Sequence, residues 1–358
     1  MMKIEWLNKK DVDHQLVQDL LKDSEENNHF TNYGPLVRKL ENKSREWFGI
    51  EDNKAVIVVN NASAGLHALA SGINKYQNRH LRYATQSYTF PPSAQGSLSD
   101  SLIIDIDDEI GLDLDLVPIH LVDGIIVTNI FGNLTRLDKY VDWADKNNKI
   151  LLFDNAASAL STYQGRNASN FGHGAVISFH HTKPVGFGEG GLVIVDKIYE
   201  ESVRQCINFG INNDLPFHES YWHREGSNYK MSDVSAAYIL QYLERKLPSN
   251  HEHHLNLYRY FSKLLNQLNT DEVTLMPNFS DDVPFVTCFC LIFKDVNKSK
   301  EQAFLDAGIY CRKYYKPLLK VPKTQYIYDH VLCIPCHSDI TFEQLDLVFD
   351  VLKNVLNA

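Results

Sequence analysis

Between residues 55 and 195 the chain alternates short apolar, β-branched runs with stretches of helical periodicity, a pattern that few folds accept. Residues 55–59 form an unbroken run of strand formers, and residues 63–73 then set Leu66, Leu69, Ala70 and Ile73 on one helical face. Residues 82–85, 102–106, 124–129 and 149–154 read as further strands, with a helix over 137–146 before the last of them. Apolar runs at 174–179 and 192–195 complete the set. Strands spaced by helices in this way make a doubly wound parallel sheet covered on both faces.

After that stretch the rhythm changes. A helix is expected over 198–209, a polar and aromatic loop over 210–230, and a helix over 233–246 capped by Ser232. Pro248-Ser249-Asn250 is read as an interruption before another helix over 254–268. Strands near 285–293, a helix from Ser299 to 307 and a last helix over 341–356 give the end of the chain an α+β character. The 358 residues suffice for a large α/β domain, 1–245, and a smaller α+β domain, 246–358. A net charge of -10 argues against a surface for nucleic acid. No apolar run approaches the roughly 20 residues that span a bilayer. The start, Met1-Met2-Lys3-Ile4-Glu5-Trp6-Leu7-Asn8, lacks the apolar core of a signal peptide, so a cytoplasmic location is expected.

Chemistry concentrates around one lysine. Ser178-Phe179-His180-His181-Thr182-Lys183 leaves an apolar strand, and Pro184 to Gly191 follows with four glycines before the next strand. Asp154 ends the strand Lys-Ile-Leu-Leu-Phe-Asp, so its carboxylate lies at the carboxyl edge of the sheet, where open α/β sheets bind ligands. It could equally cap the next helix. Asn60-Asn61-Ala62-Ser63-Ala64-Gly65 sits where a strand feeds a helix, a place that suits a phosphate, although Ser63 could serve simply as an N-cap. Tyr88-Thr89-Phe90 precedes two prolines, and Gly226-Ser227-Asn228-Tyr229-Lys230-Met231 precedes the capped helix. Among the six cysteines only Cys333-Ile-Pro-Cys336 has metal or redox spacing. With no second pair to match it, the thiols are read as core residues. His251, His253 and His254 are read as a solvated helical face, and no metal site is expected.

Taken in order, these segments resemble the DegT/DnrJ/EryC1/StrS family of nucleotide-sugar aminotransferases over nearly the whole chain. The resemblance implies the aspartate-aminotransferase fold (fold type I): a large α/β domain that binds pyridoxal 5'-phosphate and a smaller C-terminal α+β domain. It makes Lys183 the residue that bonds covalently to the cofactor aldehyde and Asp154 the partner of the pyridine nitrogen. Ser63, Ala64 and Ser178 become phosphate ligands, and Phe90 the aromatic lying on the ring. Asn228 reaches the neighbouring subunit's site, which implies a homodimer with shared sites. Tyr33, in Phe-Thr-Asn-Tyr-Gly-Pro-Leu, and Tyr314, in Gly-Ile-Tyr-Cys-Arg-Lys-Tyr-Tyr-Lys-Pro-Leu, fall on the substrate side with Phe187. Two positions depart from the family pattern. Lys230 replaces an arginine, and Ala157 stands where a polar residue contacts the ring hydroxyl, leaving Asn155 or Ser158 to substitute.

The implied reaction moves an amino group from L-glutamate to a nucleotide-linked 4-keto-6-deoxy sugar. The Thr-Asn-Tyr-Gly-Pro segment and Asp154-Asn155-Ala-Ala resemble the viosamine-type enzymes, which favours a dTDP sugar aminated at carbon 4. Carbon 3 and GDP- or UDP-linked sugars stay open. So do a sugar dehydratase of the same family, which has histidine in place of the lysine, and a non-catalytic regulatory protein.

Overall fold

The computed structural model describes residues 3–357 except 213–214, 220, 282–283 and 297–300. Met1 and Met2, parts of the 210–230 loop and the Ser299 start of one expected helix therefore lie outside the described residues. Two helices, α1 (His14–Glu26) and α2 (Pro35–Phe48), precede the first strand. The main sheet then forms from β1 (Lys54–Val59), β2 (Tyr83–Gln86), β3 (Leu102–Ile104), β4 (Gly124–Thr128) and β5 (Ile150–Asp154). A small hairpin, β6 (Thr162–Tyr163) and β7 (Arg166–Asn167), separates these from β8 (Gly174–Ser178) and β9 (Gly191–Asp196). Helices α3 (Ala62–Gln77), α4 (Leu137–Asn147) and α5 (Glu200–Ile207) lie among them in the chain. Strands β1, β4, β5 and β8 are buried along their whole length, as a sheet with both faces covered requires.

The strand order is β1-β9-β8-β5-β4-β2-β3, and the sheet is mixed rather than wholly parallel. Strand β9 runs antiparallel to both β1 and β8. The reason is the connection: a crossover helix is needed to bring a strand back parallel, and only a loop joins β8 to β9. That loop carries Lys183.

The longest helix corrects a second expectation. Helix α6 runs unbroken from Asp233 to Asn266 with Pro248 inside it, capped by the Ser232 hydroxyl, which accepts the Ser235 amide at 3.3 Å. An interior proline removes one backbone donor and crowds the preceding turn. Burial on both sides holds the helix through it. Leu240, Leu243 and Leu247 belong to the core beneath the main sheet, while Leu257 and Phe261 belong to a second core. The second core lies under β10 (Val273–Leu275), β11 (Cys288–Phe293) and β12 (Val331–Pro335), with α7 (Glu301–Asp306) and α9 (Phe342–Asn357) against them. Helix α8 (Pro322–His330) leads into β12. A third, smaller cluster joins Tyr88, Ile130 and Phe131 to Cys288, Cys290 and Cys333. No helix among the described residues is long and apolar enough to cross a membrane.

Candidate active site

Lys183 sits in the β8–β9 loop, which folds on itself through backbone bonds from Phe179 to Gly190, His181 to Gly188 and Lys183 to His180. Gly186 is required there, because a Cβ would stand 2.0 Å from the His180 oxygen. The Lys183 amine makes no hydrogen bond or ion pair with a described residue. Although the residue is half-buried, its amine lies deep among protein atoms. Desolvation lowers its pKa, opposed by the charge of Asp154 and the Cys288 thiol. Asp154 is buried at the end of β5, and desolvation raises its pKa, opposed by the Ala156 amide at 3.0 Å and by Lys183. Each group thus favours its neutral form through burial and its charged form through the other. A lysine and a carboxylate in one dry pocket, close enough to feel each other yet unpaired, suit proton transfer.

A second part of the site lies along the same sheet edge. Ser178 is paired with Gly191 across β8 and β9, and Gly191 is paired with Val59 of β1, which leads into α3. A Cβ on Gly191 would come 2.6 Å from the Ala62 amide nitrogen, so only glycine lets the start of α3 lie this close to Ser178. The buried Asn60 Oδ1 beside it has no partner among the described residues. A helix start, a hydroxyl and close backbone make a cradle for an anion. The structure also redistributes the expected roles. The N-cap is Asn61, whose Oδ1 accepts the Ala64 amide at 2.8 Å, so that amide is already engaged and Ser63 is not the cap. The early amides of Ala62 and Ser63, which have no intrahelical acceptor, are the better donors. Ser178 Oγ accepts the His180 amide at 3.1 Å and keeps its own proton for a ligand.

Phe90 is 49% exposed, and its ring meets Tyr315 at 5.6 Å. It follows Thr89, whose hydroxyl bonds that of Thr128 at 2.6 Å, and Thr128 is the β4 partner of Asp154. An aromatic face is therefore left open near Asp154. The tyrosine that joins it is Tyr315, stacked on Phe131 at 4.6 Å and within electrostatic reach of Asp154. Tyr314 instead packs against Trp6 and Phe131 and accepts a hydrogen bond from Arg312. The sequence offered two adjacent tyrosines and no means of choosing between them.

The other expected substrate residues lie elsewhere in this chain. Phe187 leans on Tyr238 and Tyr242 of α6. Tyr33 is buried, donates to the Arg204 carbonyl at 3.1 Å and lines a cavity of about 530 Å³ with Arg38 and Glu41. The Gly-Pro pair that follows Tyr33 serves the fold. Asp233 accepts the Leu36 and Val37 amides at the start of α2, and a Cβ on Gly34 would collide with that carboxylate. Asn228 is exposed on the loop leading to α6. Neither candidate for the role lost at Ala157 is free. Asn155 bonds Asn129 at 2.6 Å and Ser169 at 3.1 Å, and the Ser158 hydroxyl turns to the Asn129 carbonyl.

All six cysteines are buried and free. Cys333 and Cys336 part company: Cys333 Sγ lies 4.0 Å from Cys290 Sγ, and Cys336 Sγ lies 3.2 Å from His254 Nε2. The sulfurs of Cys288, Cys290 and Cys333 are in van der Waals contact on one face of the smaller sheet. The three histidines of α6 do not share a solvated face. His251 edges onto Phe285, His253 bonds the Ile340 carbonyl, and His254 is fully buried against the Val286 carbonyl.

Residues 11–353 match the DegT/DnrJ/EryC1/StrS aminotransferase family. The chain belongs to that family. It is accordingly a pyridoxal-phosphate-dependent aminotransferase. Among curated relatives, a UDP-4-amino-4,6-dideoxy-N-acetyl-beta-L-altrosamine transaminase of Campylobacter jejuni is 25% identical over 90% of each chain. A dTDP-4-amino-4,6-dideoxy-D-glucose transaminase of Shigella dysenteriae is 24% identical, covering 92% of this chain and 93% of the relative. Helicobacter pylori PseC, described as an aminotransferase involved in the biosynthesis of pseudoaminic acid, superposes with a TM-score of 0.84. It is 16% identical and covers 99% of this chain and all of that one. Membership agrees with the cradle at Ser178 and Gly191, the open aromatic face at Phe90 and the unpaired Lys183–Asp154 couple, which together fit the cofactor's phosphate, ring and reactive ends.

Proposed function

We propose that the enzyme transfers an amino group from L-glutamate to carbon 4 of a nucleotide-linked 4-keto-6-deoxy sugar, with a dTDP sugar the favoured substrate. The observation that carries the chemistry is the buried, unpaired Lys183 amine facing the charge of Asp154. Both curated relatives are named for 4-amino-4,6-dideoxy sugars, and they differ in the nucleotide. Carbon 4 therefore has more support than the base, and amination at carbon 3 or of a GDP- or UDP-linked sugar is the competing outcome.

Lys183 would bond the cofactor's aldehyde carbon, Asp154 would hold the ring nitrogen, and Ser178 with the Ala62 and Ser63 amides would hold the phosphate. Phe90 would cover the ring and exclude water. When bound, the cofactor supplies an electron sink for the substrate carbon that loses its proton. The chain supplies the proton handling: Nζ of Lys183, with its pKa lowered by burial, can be neutral, accept a proton and return it. Asp154 counters the tendency of a buried site to expel positive charge, and a cation beside it would draw its own raised pKa back down. Lys183 also argues against the dehydratase alternative, in which histidine takes its place.

Lys183→Ala tests this reading. The variant should keep its fold, lose the yellow colour of lysine-bound cofactor and lose amino transfer by at least about 10³-fold. Wild-type protein that never acquires that colour, or that keeps it on adding L-glutamate, would refute the aminotransferase assignment for this site. Incubation with dTDP-, UDP- and GDP-linked keto sugars, followed by mass and NMR analysis of the product, decides the base and the carbon.

A further inference from the structure

The lysine loop is held from outside by a second lysine. Lys10 belongs to the extended segment before α1, and its ammonium donates to the His181 carbonyl at 2.7 Å, to the Lys183 carbonyl at 2.7 Å and to the Gly186 carbonyl. The residue is half-buried, and its amine lies 5.0 Å from the centre of the Tyr242 ring on α6. No carboxylate among the described residues forms an ion pair with it. A cation drawn out of water and solvated by three carbonyls of one short loop costs desolvation that surface placement would avoid. What it contributes in return is the shape of that loop.

The segment bearing Lys10 is itself tied down. Ile4 bridges to Ile309, Asn8 bonds Tyr242 and Ser338, the Lys9 amide bonds Asp339 at 2.7 Å, and Asp11 pairs with Arg245 of α6. The strap therefore links the end of the smaller sheet, the middle of α6 and the backbone under Lys183. We infer that Lys10 is a positioning residue for Lys183, its three hydrogen bonds fixing the loop from which the reactive amine projects. This rests on Lys183 being the reacting lysine, as proposed above.

Three carbonyls need three donors, and only the protonated amine has three. Burial pushes the pKa of Lys10 down to about 7, opposed by Asp339. His337 beside Asp339, His181 on the loop and Tyr242 on α6 are the other titratable groups facing it, and burial first, with the Lys10 charge adding to it, lowers the pKa of both histidines. The anchor is thus complete below about pH 7 and loses one bond above it.

The test compares wild type with Lys10→Met, which keeps the stem and removes the donors, using full-length protein with and without cofactor. Faster amide hydrogen exchange over 180–190 is expected in both forms, with the pH at which the lysine-bound colour titrates displaced. For amino transfer, kcat should fall about 10- to 100-fold while KM for the keto sugar holds, because small misplacement of a reacting group is costly. Lys10→Arg should restore part of each loss. Unchanged loop exchange and unchanged kcat would overturn the inference, as would a lower melting temperature with both preserved. Asp339→Asn supplies a second measurement should Lys10→Met not fold. It removes the charge that favours the ammonium and should move the pH at which the loop loosens downward; no movement would count against the role. Loop exchange reads the anchor whether or not Lys183 is the reacting lysine, and the Lys183→Ala colour test reads that lysine alone, so the two failures are distinguishable.

Discussion

His254 shows how one side chain can carry a pH dependence. It is fully buried on α6 between the Val286 carbonyl and the Cys336 thiol, and desolvation pushes its pKa down to about 3. In the unfolded chain the same imidazole titrates at about 6.5. Between those values the unfolded state binds the extra proton, so the stability that neutral His254 contributes is full above about pH 6.5 and declines as pH falls toward 3. His254→Gln, which can still donate to Val286, should flatten the loss of urea resistance between about pH 6.5 and 4. An unaltered slope would show that other groups govern the acid transition. At this scale the sequence was legible where a position follows from a strand end: Asp154 closes β5 and Ser178 closes β8. It was less legible where the partner of a side chain is at issue. Ala64 loses its amide to Asn61, Tyr315 rather than Tyr314 joins Phe90, and His254 is drawn inward by the Val286 carbonyl in the segment before β11. The Asn61 cap stands three residues before Ala64 and is a matter of local spacing, whereas the other two outcomes are set by tertiary contacts that spacing does not show.

At the scale of elements, periodicity located β1, α3, β4, α4, β5 and β8 within a residue or a few, because each buries a continuous run or a clear stripe. Direction was not legible in the same way. Strand β9 reads like any buried strand, and its reversal is set by the loop before it. Helix α6 is the complementary case, where a local breaker is overruled by packing along 34 residues. Pro248→Ala restores a donor and relieves the crowded turn, and should raise stability by about 1–3 kcal/mol, read as a higher urea midpoint. No gain would mean that the helix has adapted its geometry fully to the proline. Helices α1 and α2 flank the motif near Tyr33, whose Gly34-Pro35 pair serves the start of α2 against Asp233.

For the molecule as a whole, α6 threads two cores, and the strap from Ile4 to Asp11 ties the smaller sheet to the lysine loop. The exposure of Asn228 leaves it available to a second copy of the chain. If every site combines Lys183 of one subunit with Asn228 of the other, two inactive variants must complement. Lys183→Ala and Asn228→Ala subunits, unfolded together and reassembled, form mixed dimers in which one site keeps both residues. Half of randomly assorted dimers are mixed, so about a quarter of wild-type activity should return. Recovery no greater than the sum of the parents would place Asn228 outside the shared site.

The β8–β9 hairpin has a mechanical corollary. Both feet of the loop bearing Lys183 are hydrogen-bonded into neighbouring interior strands, Ser178 opposite Gly191, and its crown is clamped from beneath. For the proton transfer proposed for Lys183, the backbone beneath the amine would have little room to travel. Its motion would then be confined to a four-carbon tether swinging from a fixed pivot, which would hold such a base within striking distance.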